Sequence, residues 1–250
     1  MNRQLLIGSA LLLLLPGIAR AGETEDQAVR AVEKFGGEIT RDDKAPGKPV
    51  IAVRFRYSNF KGLGFSGHFI VYDTDAGLKH LATFKKLREL DMKGSTVTGK
   101  GLKDLAPLKQ LQRLDLTSTK VTDADLKALA PLKQLQELNL WAATQVTDAG
   151  IKELAPLTQL RVLNLAATKV TDAGIKELAT LTQLQELNLS FNPVTDKGLK
   201  NLAPLSQLRV LYLIGTNVTP GGVKNLQNAL PKCRIRASFP GFLAPLPPTP

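Results

Sequence analysis

The chain has 250 residues, of which 43% are hydrophobic and 22% are charged, and its formal net charge is +11. Such a composition is typical of a soluble globular protein of one or two domains. The single cysteine, Cys233, excludes an intramolecular disulfide, so stability has to come from packing. The basic excess would suit nucleic acid, an anionic surface or an acidic partner, and the placement of the charges has to decide among them.

The N-terminus has the features of a secretory signal peptide. A basic start at Arg3 precedes an almost wholly apolar run over residues 5–15, and Ala19 and Ala21 flank an arginine in a small-x-small cleavage site. The apolar run is about half of the roughly 20 residues that span a bilayer, so a retained anchor is the weaker alternative. We therefore predict that residues 1–21 are removed on export to the periplasm or beyond the cell, and that no transmembrane segment remains.

Residues 22–86 do not follow the pattern of the rest of the chain, and we predict that they form an N-terminal cap with an irregular first repeat. Apolar side chains fall on one side of residues 24–35, which indicates a capping helix. Residues 50–57 resemble an irregular strand, and residues 75–82 match the helical phrase of the later repeats. The segment between them, residues 58–71, is longer than a repeat allows, so we expect a protruding loop there.

From residue 87 onward the chain repeats itself, which is the dominant signal in the sequence. The phrase L-x-x-L-x-L occurs six times, at intervals of 24, 24, 25, 24 and 24 residues. Its apolar positions are Leu87-Leu90-Met92, Leu111-Leu114-Leu116, Leu135-Leu138-Leu140, Leu160-Leu163-Leu165, Leu184-Leu187-Leu189 and Leu208-Leu211-Leu213. A stretch similar to Thr-Asp-Ala-Gly-Ile-Lys-Glu-Leu follows each phrase. The longer interval is the one that contains Trp141, the only tryptophan.

Within each repeat the apolar period changes from two to about 3.6, which predicts a short strand followed by a short helix. Leu114 and Leu116 share one face of such a strand, and Asp115 takes the other. Thr122 or Asp123 then suits a helix N-cap. One such unit is too small to stand alone, because its few buried aliphatic side chains do not offset the entropy of ordering its backbone. The repeats are therefore expected to stack into a solenoid.

These residues resemble the leucine-rich repeat family, in which parallel strands line the concave face of a horseshoe and short helices cover its convex face. The resemblance covers residues 87–238, as six clear repeats and a last strand, and it implies an α/β leucine-rich repeat solenoid. The phrase Thr-Asp-Ala-Gly-Leu-Lys is similar to exported bacterial leucine-rich repeat proteins and, more distantly, to the repeats of F-box substrate adaptors. Residues 239–250 form a proline-rich tail.

Hydroxyl residues mostly fill the position at which repeats of this family commonly stack asparagines. The residues assigned to it are Ser95, Thr119, Thr144, Thr168, Asn192 and Thr216. A hydroxyl group can bridge neighbouring backbones, though with fewer hydrogen bonds than an amide. We therefore expect a hydroxyl ladder that joins the repeats less strongly than asparagines would.

No residue pattern indicates catalysis, a metal site or a cofactor. His68 falls in the predicted loop, and His80 occupies a helix position filled elsewhere by Asp, Ala, Glu or Asn, which indicates a solvated surface residue. Cys233 adjoins the last strand and is predicted to be a small packing residue. Aspartates at helix starts, such as Asp148 and Asp172, recur with the repeat, which indicates a structural role. We therefore predict a protein that is not an enzyme and needs no cofactor.

Most lysines recur on the helix side of the repeats, which spreads positive charge around the outer curve without interleaved aromatic residues. Proteins that read nucleic acids concentrate basic and stacking residues on one surface. We therefore predict a solvated outer face and no specific nucleic-acid binding. The basic excess leaves weak association with anionic envelope surfaces open.

The concave face is where a binding site is expected, because side chains on that face vary without disturbing the core. Its N-terminal half is acidic and polar, whereas its C-terminal end offers apolar and aromatic side chains beside two arginines. Tyrosine and arginine are common anchors of binding sites. The candidate partner-binding residues are Trp141, Glu137, Asn139, Asn164, Asn188, Tyr212, Ile214, Arg234 and Arg236.

Trp141 directly follows Leu140, which leaves two interpretations. Either the indole projects from the end of the strand toward the rim of the concave face, or Trp141 is itself the inserted residue and Ala142 resumes the register. Both interpretations predict an exposed indole near the rim. A neutral insertion in a loop is the alternative to a contact residue.

By analogy with the family, we expect an exported, non-enzymatic module that binds a protein through its concave face and the Trp141 rim. One alternative is a structural cell-envelope scaffold without a single binding site. Another is glycan binding, for which only Tyr212 and Trp141 supply aromatic platforms. A role as a ubiquitin-ligase substrate adaptor, which the F-box similarity suggests, conflicts with the signal peptide and with the lack of room for an F-box.

Overall fold

The computed structural model describes residues 23–55 and 74–239, in which short strands alternate with short helices. The strands are β1 (Gly37–Arg41), β2 (Val50–Phe55), β3 (Glu89–Asp91), β4 (Arg113–Asp115), β5 (Glu137–Asn139), β6 (Val162–Asn164), β7 (Glu186–Asn188), β8 (Val210–Leu213) and β9 (Arg234–Ala237). The α-helices are α1 (Glu25–Lys34), α2 (Thr74–Leu78), α3 (Gly99–Lys103), α4 (Asp123–Leu126), α5 (Asp148–Glu153), α6 (Asp172–Glu177), α7 (Asp196–Lys200) and α8 (Pro220–Ala229). Short 3-10 turns follow at Leu81–Thr83, Lys127–Leu129 and Leu178–Thr180.

The nine strands of these two described segments belong to one sheet, in the order in which they occur in the chain. β1 and β2 pair antiparallel, and every later pair is parallel. The register places Leu114 beside Leu138 and Leu138 beside Leu163, so the longer interval leaves the strand alignment unchanged. The predicted solenoid, with one parallel strand and one short helix in each repeat, is confirmed.

The leucines of the repeated phrase form one continuous core along the array. Each apolar side chain of the six phrases is at most 2% exposed. Full burial of one leucine stabilises the fold by about 2 kcal/mol relative to exposure. Because these side chains pack against the repeats on both sides, the array and not the single repeat is the folding unit.

Helix α1 covers the N-terminal end of this core and lies within residues 24–35, where the sequence pattern indicates a helix. Thr24 caps it by accepting a hydrogen bond from Gln27 N at 3.3 Å, and the Gln27 side chain accepts one from Thr24 N at 3.0 Å. Glu25 pairs with Arg41 of β1 at 2.9 Å, which ties the helix to the first strand pair.

A ladder of aspartates and threonines joins the helices on the convex side. The aspartate that opens one repeat helix accepts hydrogen bonds from the backbone N–H and the hydroxyl group of the N-cap threonine in the next repeat. Asp148 accepts in this way from Thr171 N and Thr171 Oγ1, both at 2.7 Å. The other pairs are Asp75 with Thr98, Asp123 with Thr147, Asp172 with Thr195 and Asp196 with Thr219. Their recurrence therefore reflects a structural role.

The glycine of the Thr-Asp-Ala-Gly phrase makes room for this ladder, because a Cβ at Gly174 would collide with Asp148 Oδ1. One step is built differently: Gly99 stands at the aspartate position, and Asp125 stands at the glycine position of the next repeat. Asp125 accepts from Thr122 N at 2.9 Å and from Thr122 Oγ1 at 2.8 Å. The N-cap threonine is thus satisfied from within its own repeat.

The hydroxyl residues that replace asparagine do not bridge neighbouring backbones. Thr119 Oγ1 donates to Leu116 O at 2.7 Å, a carbonyl group of its own repeat. Asn192, by contrast, donates to Leu165 O of the preceding repeat at 2.7 Å and accepts from Val170 N at 3.1 Å. The expectation of a bridging hydroxyl ladder is therefore wrong: Thr119, Thr168 and Thr216 donate to the carbonyl group three residues back, and among the described residues Ser95 Oγ has no hydrogen-bond partner.

The extra residue of the longer interval lies in the turn after β5, at Thr144 and Gln145. Ala143 N donates to Leu140 O at 3.0 Å, which is the turn bond that the residue three positions after the last leucine makes in other repeats. Ala143 and Val146 are both fully buried, whereas Thr144 is exposed. Ala143, and not Thr144, therefore occupies the position assigned to the hydroxyl ladder, and that assignment was wrong.

Several predictions fall outside the described residues: the signal peptide at residues 1–21, the loop at residues 58–71 with His68, and most of the tail, residues 240–250. The last strand is described as β9. Ile235 and Ala237 of this strand are partly buried against the core.

Candidate functional site

The side chains of β1 to β7 that face away from the core line a groove of about 360 Å³, and the outward residues of β8 and β9 continue the same face beyond it. Each repeat strand contributes the residues on either side of its buried middle residue, so the same face continues along the sheet. At the C-terminal end the register aligns Asn188 of β7 with Tyr212 of β8, and Tyr212 with Arg236 of β9. The predicted residues on this concave face are Glu137, Asn139, Asn164, Asn188, Tyr212, Arg234 and Arg236.

Charge pairs between neighbouring strands hold the N-terminal half of the concave face. Arg113 lies between two glutamates, with Nη1 2.6 Å from Glu89 Oε1 and Nε 2.9 Å from Glu137 Oε1. Arg54 of β2 pairs with Asp91 at 2.8 Å. The hydrogen bond to Glu137 and the charges of both glutamates raise the pKa of Arg113, so its guanidinium stays charged. A partner that binds Glu137 has to compete with Arg113.

The three predicted asparagines stabilise the turns that follow their strands. In each case the side-chain oxygen accepts a hydrogen bond from the backbone N–H two residues on, a bond by which asparagine commonly stabilises a turn. The pairs, each 3.0 Å apart, are Asn139 Oδ1 with Trp141 N, Asn164 Oδ1 with Ala166 N, and Asn188 Oδ1 with Ser190 N. Their recurrence just before a turn was the signal of this structural role.

The C-terminal end of the concave face is different, because its arginines have no carboxylate partner in the part of the chain that the structure describes. Within residues 23–55 and 74–239, neither Arg234 nor Arg236 forms an ion pair, and both are exposed. The Arg236 guanidinium lies 5.8 Å from the centre of the Tyr212 ring, within range of a cation–π interaction. Tyr212 also replaces the turn asparagine, and Ile214 N donates instead to Ser190 Oγ at 3.2 Å.

Trp141 continues the register of β5 and is not the inserted residue. Ser118 N donates to Trp141 O at 2.7 Å, just as Gly94 N donates to Thr117 O at 2.7 Å in the preceding repeats. The interpretation that Trp141 projects from the strand end is confirmed, and the interpretation of Trp141 as the insertion is wrong. The residue is 44% exposed, and Lys93 Nζ lies 5.8 Å from its ring centre.

Phe191 is not among the residues predicted from the sequence, although it is more exposed than Trp141, at 61%. It adopts a φ of 59°, in the left-handed region that favours glycine. The corresponding residues of the other repeats are Gly94, Ser118, Ala142, Ala167 and Gly215, and all have positive φ. A Cβ on Gly215 would lie 2.7 Å from Phe191 Cδ1, so the ring rests against that glycine. The sequence signal was an aromatic residue where every other repeat has Gly, Ser or Ala.

His80 is not the solvated residue that its repeat position predicted. Its Nδ1 lies 2.9 Å from Glu23 Oε1, and the two side chains are only 17% and 15% exposed. Its ring also stacks on Phe35, with ring centres 6.5 Å apart. The prediction was wrong because the chain around α1 covers the first repeat helix, a contact that the equivalent positions of later repeats do not have.

Cys233 is buried, and burial raises the pKa of its thiol, which disfavours the reactive thiolate. Among residues 23–55 and 74–239, no group of three or more His, Cys, Asp or Glu side chains is arranged to hold a metal ion. No helix in those two segments is both long enough and apolar enough to cross a membrane.

The stacked parallel strands, with one short helix in each repeat and an open strand-lined face, define a repeat solenoid of the α/β class. A family model described as a leucine-rich repeat region matches residues 68–234, and the chain belongs to this family. Members of the family act as protein-interaction or scaffold modules and typically have no catalytic activity.

Among solved structures, the chain is similar to internalin C2 from Listeria monocytogenes, with 23% sequence identity and a TM-score of 0.57 over 86% of both chains. It is also similar to a leucine-rich repeat protein of Leptospira interrogans, with 23% identity and a TM-score of 0.48, over 63% of this chain and 44% of that one. No curated protein matches the sequence. At this identity the likeness to the internalin bears on the fold alone.

Proposed function

We propose that this protein is exported and binds a protein partner through the C-terminal end of its concave face. The observation that carries the proposal is the contrast within that face. Arg54 and Arg113 at its N-terminal half are occupied by neighbouring carboxylates, whereas Arg234 and Arg236 at the other end are exposed and unpaired among the described residues. Arginine beside tyrosine is a common anchor of protein interfaces.

The partner surface that this end suits is acidic. Two arginines on one strand, at successive outward positions, present guanidinium groups that bind carboxylates with paired hydrogen bonds. Tyr212 and the partly buried Val210 of β8 add apolar contact area beside them. The proposal is thus for a partner that places carboxylates over β9 and an apolar side chain over β8.

Export rests on the sequence of residues 1–21. Its test is the mass of the chain recovered from the cell-envelope and secreted fractions. Cleavage after Ala21 predicts a first residue of Gly22, whereas an uncleaved chain recovered from the cytoplasm contradicts this part of the proposal.

The binding site is tested by affinity capture from the cell envelope with the purified chain as bait. The double variant Tyr212→Ala/Arg236→Ala is expected to weaken capture of the partner about 30-fold, the effect of losing roughly 2 kcal/mol at an interface anchor. The matched control is Arg54→Ala/Asp91→Ala, which removes an arginine already paired on the same face. Thermal unfolding verifies that both variants fold.

Equal capture by both double variants would contradict a defined site and favour a scaffold that binds without a single anchor. Glycan binding has less support, because Trp141 lies in the turn after β5 whereas Tyr212 lies on β8. Three strand spacings separate them, about 14 Å at the usual distance between neighbouring strands. They therefore do not form one aromatic platform.

A further inference from the structure

The turns that follow β3 to β8 form one edge of the solenoid, called here the turn edge. It consists of residues 93–96, 117–120, 141–145, 166–169, 190–193 and 214–217. The large hydrophobic residues that are exposed in the described parts of the chain all lie on it: Trp141 at 44%, Phe191 at 61% and Ile214 at 41%. Such clustering on one edge of a repeat array is not explained by the core, which these side chains do not enter.

These three side chains project from a rigid line. Backbone hydrogen bonds join successive turns, from Ala142 N to Ala166 O at 2.9 Å and from Phe191 N to Ile214 O at 2.7 Å. From β5 to β8 the line is about 14 Å long, at the usual spacing of neighbouring strands. Ala166 and Ser190 lie between the large side chains and are buried, at 3% and 4% exposure. The large side chains therefore stand out from a floor of small ones.

Phe191 indicates that this apolar edge is not a by-product of folding. Phe191 has a φ of 59°, a left-handed conformation that Ser118, Ala142 and Ala167 also adopt at the equivalent positions, so the strain belongs to the turn of the repeat and not to Phe191 in particular. The equivalent turns manage with glycine, serine or alanine. What sets Phe191 apart is its ring, which is 61% exposed, and a large exposed apolar side chain where the other repeats have small residues points to a contact outside the chain.

The turn edge is also basic. Its residues include three lysines, Lys93, Lys120 and Lys169, and no aspartate or glutamate. All three lysines are exposed, and none forms an ion pair in the parts of the chain that the structure describes. The nearest strand carboxylates are engaged: Asp91 with Arg54 at 2.8 Å, and Asp115 with Thr117 N at 2.8 Å.

We propose that the turn edge docks the protein onto an anionic lipid surface, with Trp141, Phe191 and Ile214 entering the headgroup region and the lysines facing lipid phosphates. Tryptophan and other amphipathic or apolar side chains flanked by lysines are typical of interfacial membrane contacts. Side chains that project in a line suit a soft surface, whereas a protein hot spot encloses its anchors in pockets. The concave face stays open to the protein partner, so the two surfaces act separately.

Trp141 is the only tryptophan, so intrinsic fluorescence reports directly on this edge. The full chain is titrated with vesicles of phosphatidylglycerol and phosphatidylcholine in equal parts, and with vesicles of phosphatidylcholine alone. The expected result is a shift of the emission to shorter wavelength and co-sedimentation with the anionic vesicles. Brominated lipids should quench the emission if the indole enters the headgroup region.

The decisive comparison uses two triple variants with the same change in net charge. Lys93→Glu/Lys120→Glu/Lys169→Glu alters the turn edge, and Lys127→Glu/Lys152→Glu/Lys176→Glu alters exposed lysines of the convex side. With each lysine near an anionic surface contributing about fivefold to binding, the turn-edge variant is expected to bind about a hundredfold more weakly. The convex variant should keep most of its binding. Because all chains are prepared alike, any contribution of residues 1–21 is common to them.

A second variant, Phe191→Ala/Ile214→Ala, keeps the fluorescent residue and should weaken vesicle binding about tenfold. Equal loss in both lysine variants would overturn the proposal, since it would show attraction to overall charge. An unchanged Trp141 emission with anionic vesicles would overturn it as well. So would an emission shift that appears only when envelope protein free of lipid is added in place of vesicles. Tyr212→Ala/Arg236→Ala should leave vesicle binding intact, so failure here is distinguishable from failure of the proposed protein-binding site.

Discussion

The convex helix side and the turn edge are built from the same repeats but vary in different ways. On the helix side, a departure in one repeat is matched by a departure in the next, as with Gly99 and Asp125, and the N-cap threonine keeps both of its hydrogen bonds. At the turn edge, Trp141 and Phe191 replace small residues and add exposed apolar surface without adding a side-chain hydrogen bond.

This difference separates structural from functional variation within one chain. A substitution that a neighbouring repeat compensates preserves the fold, because adjacent repeats are the units that contact one another. A substitution that exposes a large aromatic ring where other repeats have small residues is not explained by stability. The contrast therefore supports the proposal that the turn edge makes external contacts, and it places the aspartate–threonine ladder in the scaffold.

The largest expected effect comes from testing compensation on the helix side. Gly174→Asp alone should destabilise the protein by about 3 kcal/mol, because the new side chain collides with Asp148 and brings two carboxylates together. The double variant Asp148→Gly/Gly174→Asp recreates the arrangement of Gly99 and Asp125, and it should recover stability to within about 1 kcal/mol of wild type. Chemical denaturation of the four members of this cycle measures the coupling. Additive effects would show that the ladder tolerates no such exchange and that the natural pair is coincidental.

Replacing Asn192 tests whether a residue of the turn edge can also stabilise the fold. Its side chain is 2% exposed and bonds to Leu165 O and Val170 N, which both lie in the preceding repeat. Asn192→Ala should lower the free energy of unfolding by about 2 kcal/mol, because it removes a hydrogen bond to Leu165 O, which keeps the bond from Thr168 Oγ1, and leaves the buried Val170 N–H unpaired. Thr119→Val is the matched control and should cost about 1 kcal/mol or less, since it removes one bond within a repeat. Equal losses would mean that Asn192 does not bridge the repeats.

The smallest expected effect on stability comes from replacing Phe191, and it tests whether this side chain contributes to the fold. Phe191→Gly relieves a left-handed backbone and should stabilise the fold by roughly 0.5 to 1 kcal/mol, less the loss of the ring contact with Gly215. The same variant should reduce binding to anionic vesicles. Thermal unfolding and vesicle sedimentation are measured together. A marked loss of stability would show that the ring packs as part of the fold and would remove the argument that its exposure serves function.

Much of the architecture was predictable because the apolar period is a local property. The leucine spacing predicted six of the strands and their parallel register, and the recurring aspartates predicted a structural role. The position of the extra residue was not predictable from the spacing alone. The flanking phrases LNL and VTDAG are the same in this repeat and the next, so they do not show which residue between them is the insertion. The turn bond from Ala143 N to Leu140 O resolved it.

The candidate site was only partly predictable. Glu137 and the three asparagines have outward positions in the strand pattern, yet their partners are on other strands or in the following turns. His80 was misassigned for the same reason, because Glu23 and Phe35 reach it from a part of the chain that does not repeat. Phe191 carried a signal in the alignment of the turns, but its strain became visible only in the backbone dihedral angle.

By itself, the sequence determined the repeat length, the buried leucine positions and the stacking of parallel strands, because each follows from side-chain periodicity and from the need to bury apolar surface. The tertiary structure alone decided which charged residues are paired and which large side chains remain exposed on one edge. Those properties depend on distances between side chains of residues about 24 positions apart. The periodicity shows which residues are neighbours but not how far apart their side chains lie.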